Sequence, residues 1–278
     1  MQSYTKTSPP PSPQPGEATL YMNMHTSHTS PTMSQRCSDL ALSAKKYRYF
    51  KRLFKFRQMD FEYAFWQMIY LFIAPQKVYR NFQYRKQTKD QWARDDPAFL
   101  VLLGFCLCGS SIGFALVLGL GFFNFLKFTI WVIFVDCIGM GLLVASIFWF
   151  VANRYLVAIP NRGQEVEFGY AFDVHLNAFF PVLMILHVFQ LPFLYFINAN
   201  HQSFLSYFFG NTLWLVAVGY YVYITFLGYS ALPFLKKAQV LLSPMMGLVI
   251  FYILSIAFGW NFTRYLCNFY HYRVWSPY

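Results

Sequence analysis

Charge is scarce in this chain and nearly missing from its second half. Only 12% of the 278 residues are charged, about half the share of an ordinary soluble domain. Between residues 99 and 259 long stretches carry no charge, and within the five apolar runs described below Asp136 stands alone. Such stretches exclude a soluble domain that keeps charge on every face. Cysteine is also sparse: Cys37, Cys106, Cys108, Cys137 and Cys267 are scattered singly or two apart. Cys106 and Cys108 would point about 200° apart on a helix, so they cannot grip one ion together. The set makes neither a disulfide framework nor a zinc site, and no cofactor or metal is expected. The first 40 residues hold no apolar core, so no secretory signal peptide is expected there and an internal span, most simply 99–122, would direct insertion.

What the chain has in abundance is apolar and aromatic surface: 57% hydrophobic residues, with 33 Phe and 21 Tyr. The apolar residues gather in five runs, 99–122, 128–152, 174–197, 204–230 and 239–259. About 20 residues of helix cross a hydrocarbon core, where backbone polar groups must be satisfied within the segment. The expectation is an all-α integral membrane protein. About five transmembrane helices over 99–259 follow a disordered Ser/Thr/Pro-rich tail at 1–40 and a basic, aromatic interfacial segment at 41–98. Residues 260–278 read as a short tail.

The net charge of +11 is concentrated before the first run, where 15 of the 22 Lys and Arg lie. Lys45, Lys46, Arg48, Lys51, Arg52, Lys55 and Arg57 interleave with Tyr47, Phe50, Leu53 and Phe54, which share one side of a helix. Three readings stand: simple flanking charge, a helix lying on an anionic leaflet of membrane lipids, or contact with RNA, since basic residues among aromatics also suit single strands. The run from Tyr63 to Ala74 would extend only about 18 Å as a helix, too short to span, and reads as interfacial or re-entrant. Asp95, Asp96 and Pro97 read as the cap and first turn of the first span. Counting Lys and Arg by side, 19 fall with the N-terminus and 3 opposite, which predicts a cytosolic N-terminus and, after five spans, a lumenal C-terminus. Asn261, Phe262 and Thr263 form a glycosylation acceptor pattern close against the last span.

Two polar groups inside the spans attract attention. Asp136 is costly in hydrocarbon and demands a partner or a wet cavity; His187, comparably deep in the third run, is the expected partner. The pair reads as neutral packing, an ion or proton relay, or a recognition feature. Gly109 and Gly113 form a small-residue pair suited to close helix approach, either within the chain or to a second copy or client; the oligomeric state stays open.

The segment from Pro160 to Pro181 is the densest polar cluster after the tail. It includes Glu167, Asp173, His175 and Asn177. On a helix Asp173 and Asn177 share a face and His175 points away; in an extended strand all three share one. Asp173 is expected to cap the third span, with His175 in the headgroup layer. A partner-binding platform and acid–base catalysis are the alternatives, the latter lacking an obvious nucleophile.

This segment also carries a resemblance. Glu167–Pro181 resembles the signature of the uncoordinated-fifty family of Golgi membrane proteins, as do Lys51–Ala74 and the Asp95-Asp96-Pro97-Ala98 approach to the first span. The similarity runs from about residue 45 to the C-terminus. It implies a five-span, non-enzymatic protein of the Golgi, extending to the endoplasmic reticulum or inner nuclear membrane. It further implies a role in trafficking and surface expression of nicotinic acetylcholine receptor subunits, an Arf guanine-nucleotide exchange factor as partner, and for some members RNA binding. A membrane enzyme or lipid-handling protein using Asp136, Asp173, His175 and His187 is the competing reading.

Overall fold

The computed structural model describes residue 51 and residues 55–89, 92–94, 96–158, 165–199 and 203–275. The tail at 1–40 and Lys45, Lys46, Arg48 and Arg52 of the basic stretch lie outside them. Arg52–Tyr278 form one compact unit. Eight helices, α1 to α8, account for most of its described residues, and strand-like pairing is confined there to an isolated bridge, Val157 with Leu235.

Helix α1, Phe61–Ile73, starts where the Asp60 carboxylate accepts from the Tyr63 amide at 2.9 Å. It stops at Ala74, whose backbone leaves the helical region, at φ −154° and ψ 72°, ahead of Pro75. Pro75 then opens α2, Pro75–Lys89, a position that tolerates its missing N–H. The spans follow: α3 Ala98–Leu118, α4 Phe122–Leu156, α5 Phe168–Phe193, α6 Phe204–Ser230 and α7 Ala238–Ala257, all long and apolar enough to cross a bilayer. Asp96 Oδ1 accepts from Ala98 N at 3.0 Å at the start of α3. Gly119, at φ 65°, ends it in the left-handed conformation that a Cβ would strain. The last helix, α8 Phe262–Trp275, lies within the segment read as a tail.

The helical boundaries depart from the apolar runs in one informative place. Helix α5 begins at Phe168, six residues before the run does, and it takes Asp173 into its second turn. Glu167, not Asp173, is the N-cap residue, so the expected cap is corrected. Hydropathy marks where apolarity begins; here the polar start of the helix is covered by protein rather than by lipid. Helix α5 is the most enclosed span, and α7 is the most peripheral.

Two irregularities interrupt the spans, and one has an identifiable cause. Pro181 interrupts α5, and π-helical turns follow at Met184–Phe189, because proline leaves a carbonyl without its intrahelical donor. A longer π stretch, Trp131–Gly139, sits in α4 around Asp136. Hydrogen bonds tie one end of the bundle together: Gln83 Nε2 to Ala231 O at 3.0 Å, Asn153 with Val166 in both directions, and Lys236 N to Leu156 O at 2.8 Å. That end gathers α1 and α2, the α4–α5 connection and the α6–α7 connection. The alternation that five crossings require therefore appears in contacts as well as in hydropathy.

Candidate functional site

The polar residues at the start of α5 divide between two faces. On one face, the short non-helical segment Trp92–Arg94 is laid along the helix. Ala93 N donates to Glu167 Oε2 at 3.4 Å, and Arg94 N donates to Asp173 Oδ2 at 2.5 Å. One turn deeper, Arg94 Nη2 donates to Asn177 Oδ1 at 2.7 Å, and Gln67 Nε2 from α1 reaches the same oxygen at 3.1 Å. The helix thus offers three acceptors at its 167, 173 and 177 positions to two separate pieces of the N-terminal segment, Trp92–Arg94 and α1. Gly169 makes the close approach feasible: a Cβ there would lie 3.1 Å from Ala93 Cβ.

Arg94 is the energetic centre of this clamp. Its side chain is buried, with the guanidinium carbon 4.3 Å from the Phe99 ring centre and 5.9 Å from that of Phe82. A buried cation is tolerated only when hydrogen-bonded and near an opposite charge. Asn177 accepts a hydrogen bond from one terminal nitrogen, Nε has no hydrogen-bond partner among the described residues, and the aromatic faces add cation–π attraction. Above them Trp92 packs edge-on against Tyr170 and Phe234, and Tyr170 donates to Gly228 O at 2.6 Å. Tyr79, from α2, is buried beside the clamp. Burial pushes its phenol well above the ordinary value, with the nearby Arg94 charge acting the other way.

His175 belongs to the opposite face, as a helical rather than an extended segment requires. Its Nδ1 lies 2.9 Å from the Tyr221 hydroxyl, and its ring stacks between Phe172 and Phe179. Gly141 of α4 leaves room for the ring; a Cβ there would come within 2.9 Å of it. Asp173 and His175 therefore address different neighbours and form no acid–base pair with each other. His175 is buried in the bundle rather than standing in an exposed layer.

Asp136 and His187 do not meet as expected. Asp136 Oδ1 accepts from Arg273 Nη1 of α8 at 3.2 Å, with both side chains about three-quarters covered. Arg273 also stacks on Trp131 and Phe269 at 4.6 and 4.2 Å. His187 lies instead against the Phe114 ring at 4.8 Å and Tyr270 at 6.5 Å. The expected partner is replaced because α8 folds back into the bundle, with Thr263, Cys267 and Tyr270 buried on one side. That stripe, at i, i+4 and i+7, was the sequence signal for a packed helix.

Of the basic stretch, Lys55 and Arg57 are described and exposed, Arg57 within a short 3-10 turn at Phe56–Gln58; Lys51 is helical. On α2, Lys77 and Arg80 point outward while Val78, Tyr79 and Phe82 face in. Among the described residues no group of three or more His, Cys, Asp or Glu is placed to hold a metal ion. In the small-residue pair of α3, Gly113 abuts Leu191 of α5 within the chain, whereas Gly109 faces open space. Residues that sequence reasoning passed over are Gln67, Arg94, Tyr79, Tyr221 and Arg273.

The profile of the UNC-50 family matches residues 49–271. The chain belongs to the UNC-50 family. The match takes in α1 through most of α8, hence the whole Gln67–Arg94–Asp173–Asn177 clamp. Among curated relatives, the human protein unc-50 homolog is 62% identical over 235 residues, covering 83% of this chain and 89% of the relative. The zebrafish homolog is 60% identical over 249 residues, 89% of this chain and 96% of the relative. The Drosophila homolog is 50% identical over 277 residues, 99% of this chain and the full length of the relative. No solved structure matches the chain.

Proposed function

We propose that this UNC-50 family protein is a non-enzymatic membrane protein of the Golgi and early secretory pathway. In this reading it supports trafficking and surface expression of membrane clients such as nicotinic acetylcholine receptors. Its N-terminal end faces the cytosol and engages an Arf guanine-nucleotide exchange factor or coat machinery. The spans meet the client.

The observation that carries the reading is the clamp. Gln67, Ala93 and Arg94 are bound to α5 through Asn177, Glu167 and Asp173, so α1 and α2 are held as a fixed surface at one end of the spans rather than trailing from it. Fixed elements present a binding surface with little ordering cost. The side of that surface turned away from the bundle carries Lys77 and Arg80, a basic face suited to an acidic partner surface or leaflet. Positive charge concentrated at this end matches a cytosolic placement.

The test pairs proximity labelling with a rescue assay. A labelling enzyme fused to the N-terminus should recover exchange-factor or coat proteins, and Lys77→Glu with Arg80→Glu should reduce that recovery while leaving the protein at the Golgi. In cells lacking the protein, surface receptor should return with the wild-type chain and less with the charge-reversed one. Recovery of lipid-metabolic enzymes alone, with full rescue by the reversed variant, would overturn the reading.

A further inference from the structure

A cavity of about 350 Å³ lies between α6, α7 and α8 and is open on one side. Its wall is made by Leu215, Val218, Leu248, Phe251, Leu266 and Phe269, together with the apolar parts of Asn211, Trp214, Tyr252 and Ser255. The volume falls at the small end of the range for ligand sites, about 300–1,000 Å³. From Asn211 to Val218 it follows α6 for about 10 Å.

The two spans are fastened to each other on either side of it. At one end Asn211 Nδ2 donates to Ser255 Oγ at 3.0 Å, and the hydroxyls of Thr212 and Tyr252 meet at 3.0 Å. At the other end Gly219 brings the helices close, a Cβ there lying 3.6 Å from Met245. The cleft between these fastenings is thus a built feature of the helix pair.

Its polar groups are all engaged inside the protein. Asn211 also donates to Trp260 O at 2.6 Å and accepts from Phe262 N at 3.2 Å. Ser255 donates to Tyr252 O at 2.7 Å, and Trp214 Nε1 donates to Thr263 Oγ1 at 3.2 Å. A ligand here has no polar group to answer. Water is disfavoured for the same reason, since apolar cavities without polar partners stay dry. The face of α7 turned away from the cleft is apolar, with Val249, Ile250, Ile253 and Leu254 exposed, as befits a surface bathed in lipid. The cleft itself is partly open between two spans that are long and apolar enough to cross a bilayer.

We propose that this cleft is a seat for one acyl chain of a membrane phospholipid, filling the space between the two last spans and the C-terminal helix. The chain leaves one hydrocarbon environment for another, so no hydrophobic gain drives it. Preference comes from dispersion contact with the closely set aromatic and aliphatic wall. The seat would select by chain shape rather than by headgroup. Because α8 forms one wall and also carries Arg273, chain occupancy would support the position of that helix.

The probe is a phosphatidylcholine with a photoactivatable diazirine on its acyl chain, mixed into phosphatidylcholine vesicles holding the full-length protein, with adducts mapped by mass spectrometry. Adducts at Leu215, Val218, Leu248 and Leu266 should exceed those at the outward Ile250 and Ile253 by about tenfold, equivalent to ~1.4 kcal/mol of preference. Val218→Phe and, separately, Leu248→Trp should abolish the cleft adducts and leave the outward ones unchanged. Leu248→Ala, which empties rather than fills the cleft, should retain them and so separates blockage from misfolding. Equal labelling of cleft and outer face, or cleft labelling that survives both filling variants, would overturn the proposal. So would displacement of the acyl probe by a few per cent of sterol, which would assign the seat to a sterol instead.

Discussion

Asn177 offers the sharpest test of the clamp, because one oxygen holds two buried donors from different segments. Replacing Asn177 with Leu keeps the volume roughly constant and removes that acceptor. Gln67, 1% exposed, loses the partner of its Nε2; Arg94, 8% exposed, loses its charge-assisted bond. An orphaned neutral donor costs about 1–3 kcal/mol and a lost bond to a charged group about 1.5–3, so the substitution should destabilise by roughly 3–5 kcal/mol. At about 2–4 °C per kcal/mol for a chain of this size class, the midpoint should fall by roughly 6–20 °C. Thermal unfolding of the purified full-length protein in detergent, followed by tryptophan fluorescence, reads this directly. Arg94→Met should also destabilise, and the double variant should cost clearly less than the sum, with a coupling of about 1–3 kcal/mol. A midpoint for Asn177→Leu within about 2 °C of wild type, or strict additivity with Arg94→Met, would refute the clamp.

Other outcomes follow from individual contacts. Arg273→Gln should leave the Asp136 carboxylate without its cation and loosen α8; with both groups about a quarter exposed, the cost should be about 1–3 kcal/mol, and maleimide labelling of the buried Cys267 should rise. Asp136→Asn with Arg273→Gln should label less than Arg273→Gln alone. Gly228→Ala would set a methyl 2.8 Å from Val174, so it should cost about 1–3 kcal/mol by overpacking, whereas Gly247→Ala, with nothing within 4 Å, should change the midpoint little. Asn261 caps α8 by accepting from Arg264 N at 3.1 Å and donates to Ile197 O at 3.2 Å; Asn261→Ala should cost about 1 kcal/mol, and glycosidase treatment should not shift the wild-type band.

The spans were legible because each is a long run without charge, a signal that needs no knowledge of neighbours. Their exact starts were less so. The polar residues of α5 looked like an approach to the membrane, because hydropathy cannot tell a residue covered by lipid from one covered by the same chain. The face division of Asp173 and Asn177 against His175 followed from helical period alone. What they touch did not: Arg94 lies 79 residues before Asp173 and 83 before Asn177, and no local period encodes which distant segment docks on a helix. Arg94 entered only as one of the 15 basic residues before the first run, since burial of an arginine between Phe82 and Phe99 leaves no mark in its own neighbourhood. Asp136 was correctly suspected of needing a partner, but the choice fell on the residue of similar depth. Arg273 was overlooked because its helix mixes aromatic and polar residues and follows the last span.

The central claim is five crossings with the clamped, basic end facing the cytosol. It is tested most directly by an impermeant maleimide applied to sealed, right-side-out Golgi vesicles. Single cysteines would be placed at the exposed Asn81 of α2 and at Gly121 between α3 and α4, in a chain whose Cys37 is replaced. Asn81→Cys should label at once and Gly121→Cys only after permeabilisation. Labelling of both before permeabilisation, or of Gly121→Cys alone, would contradict the account.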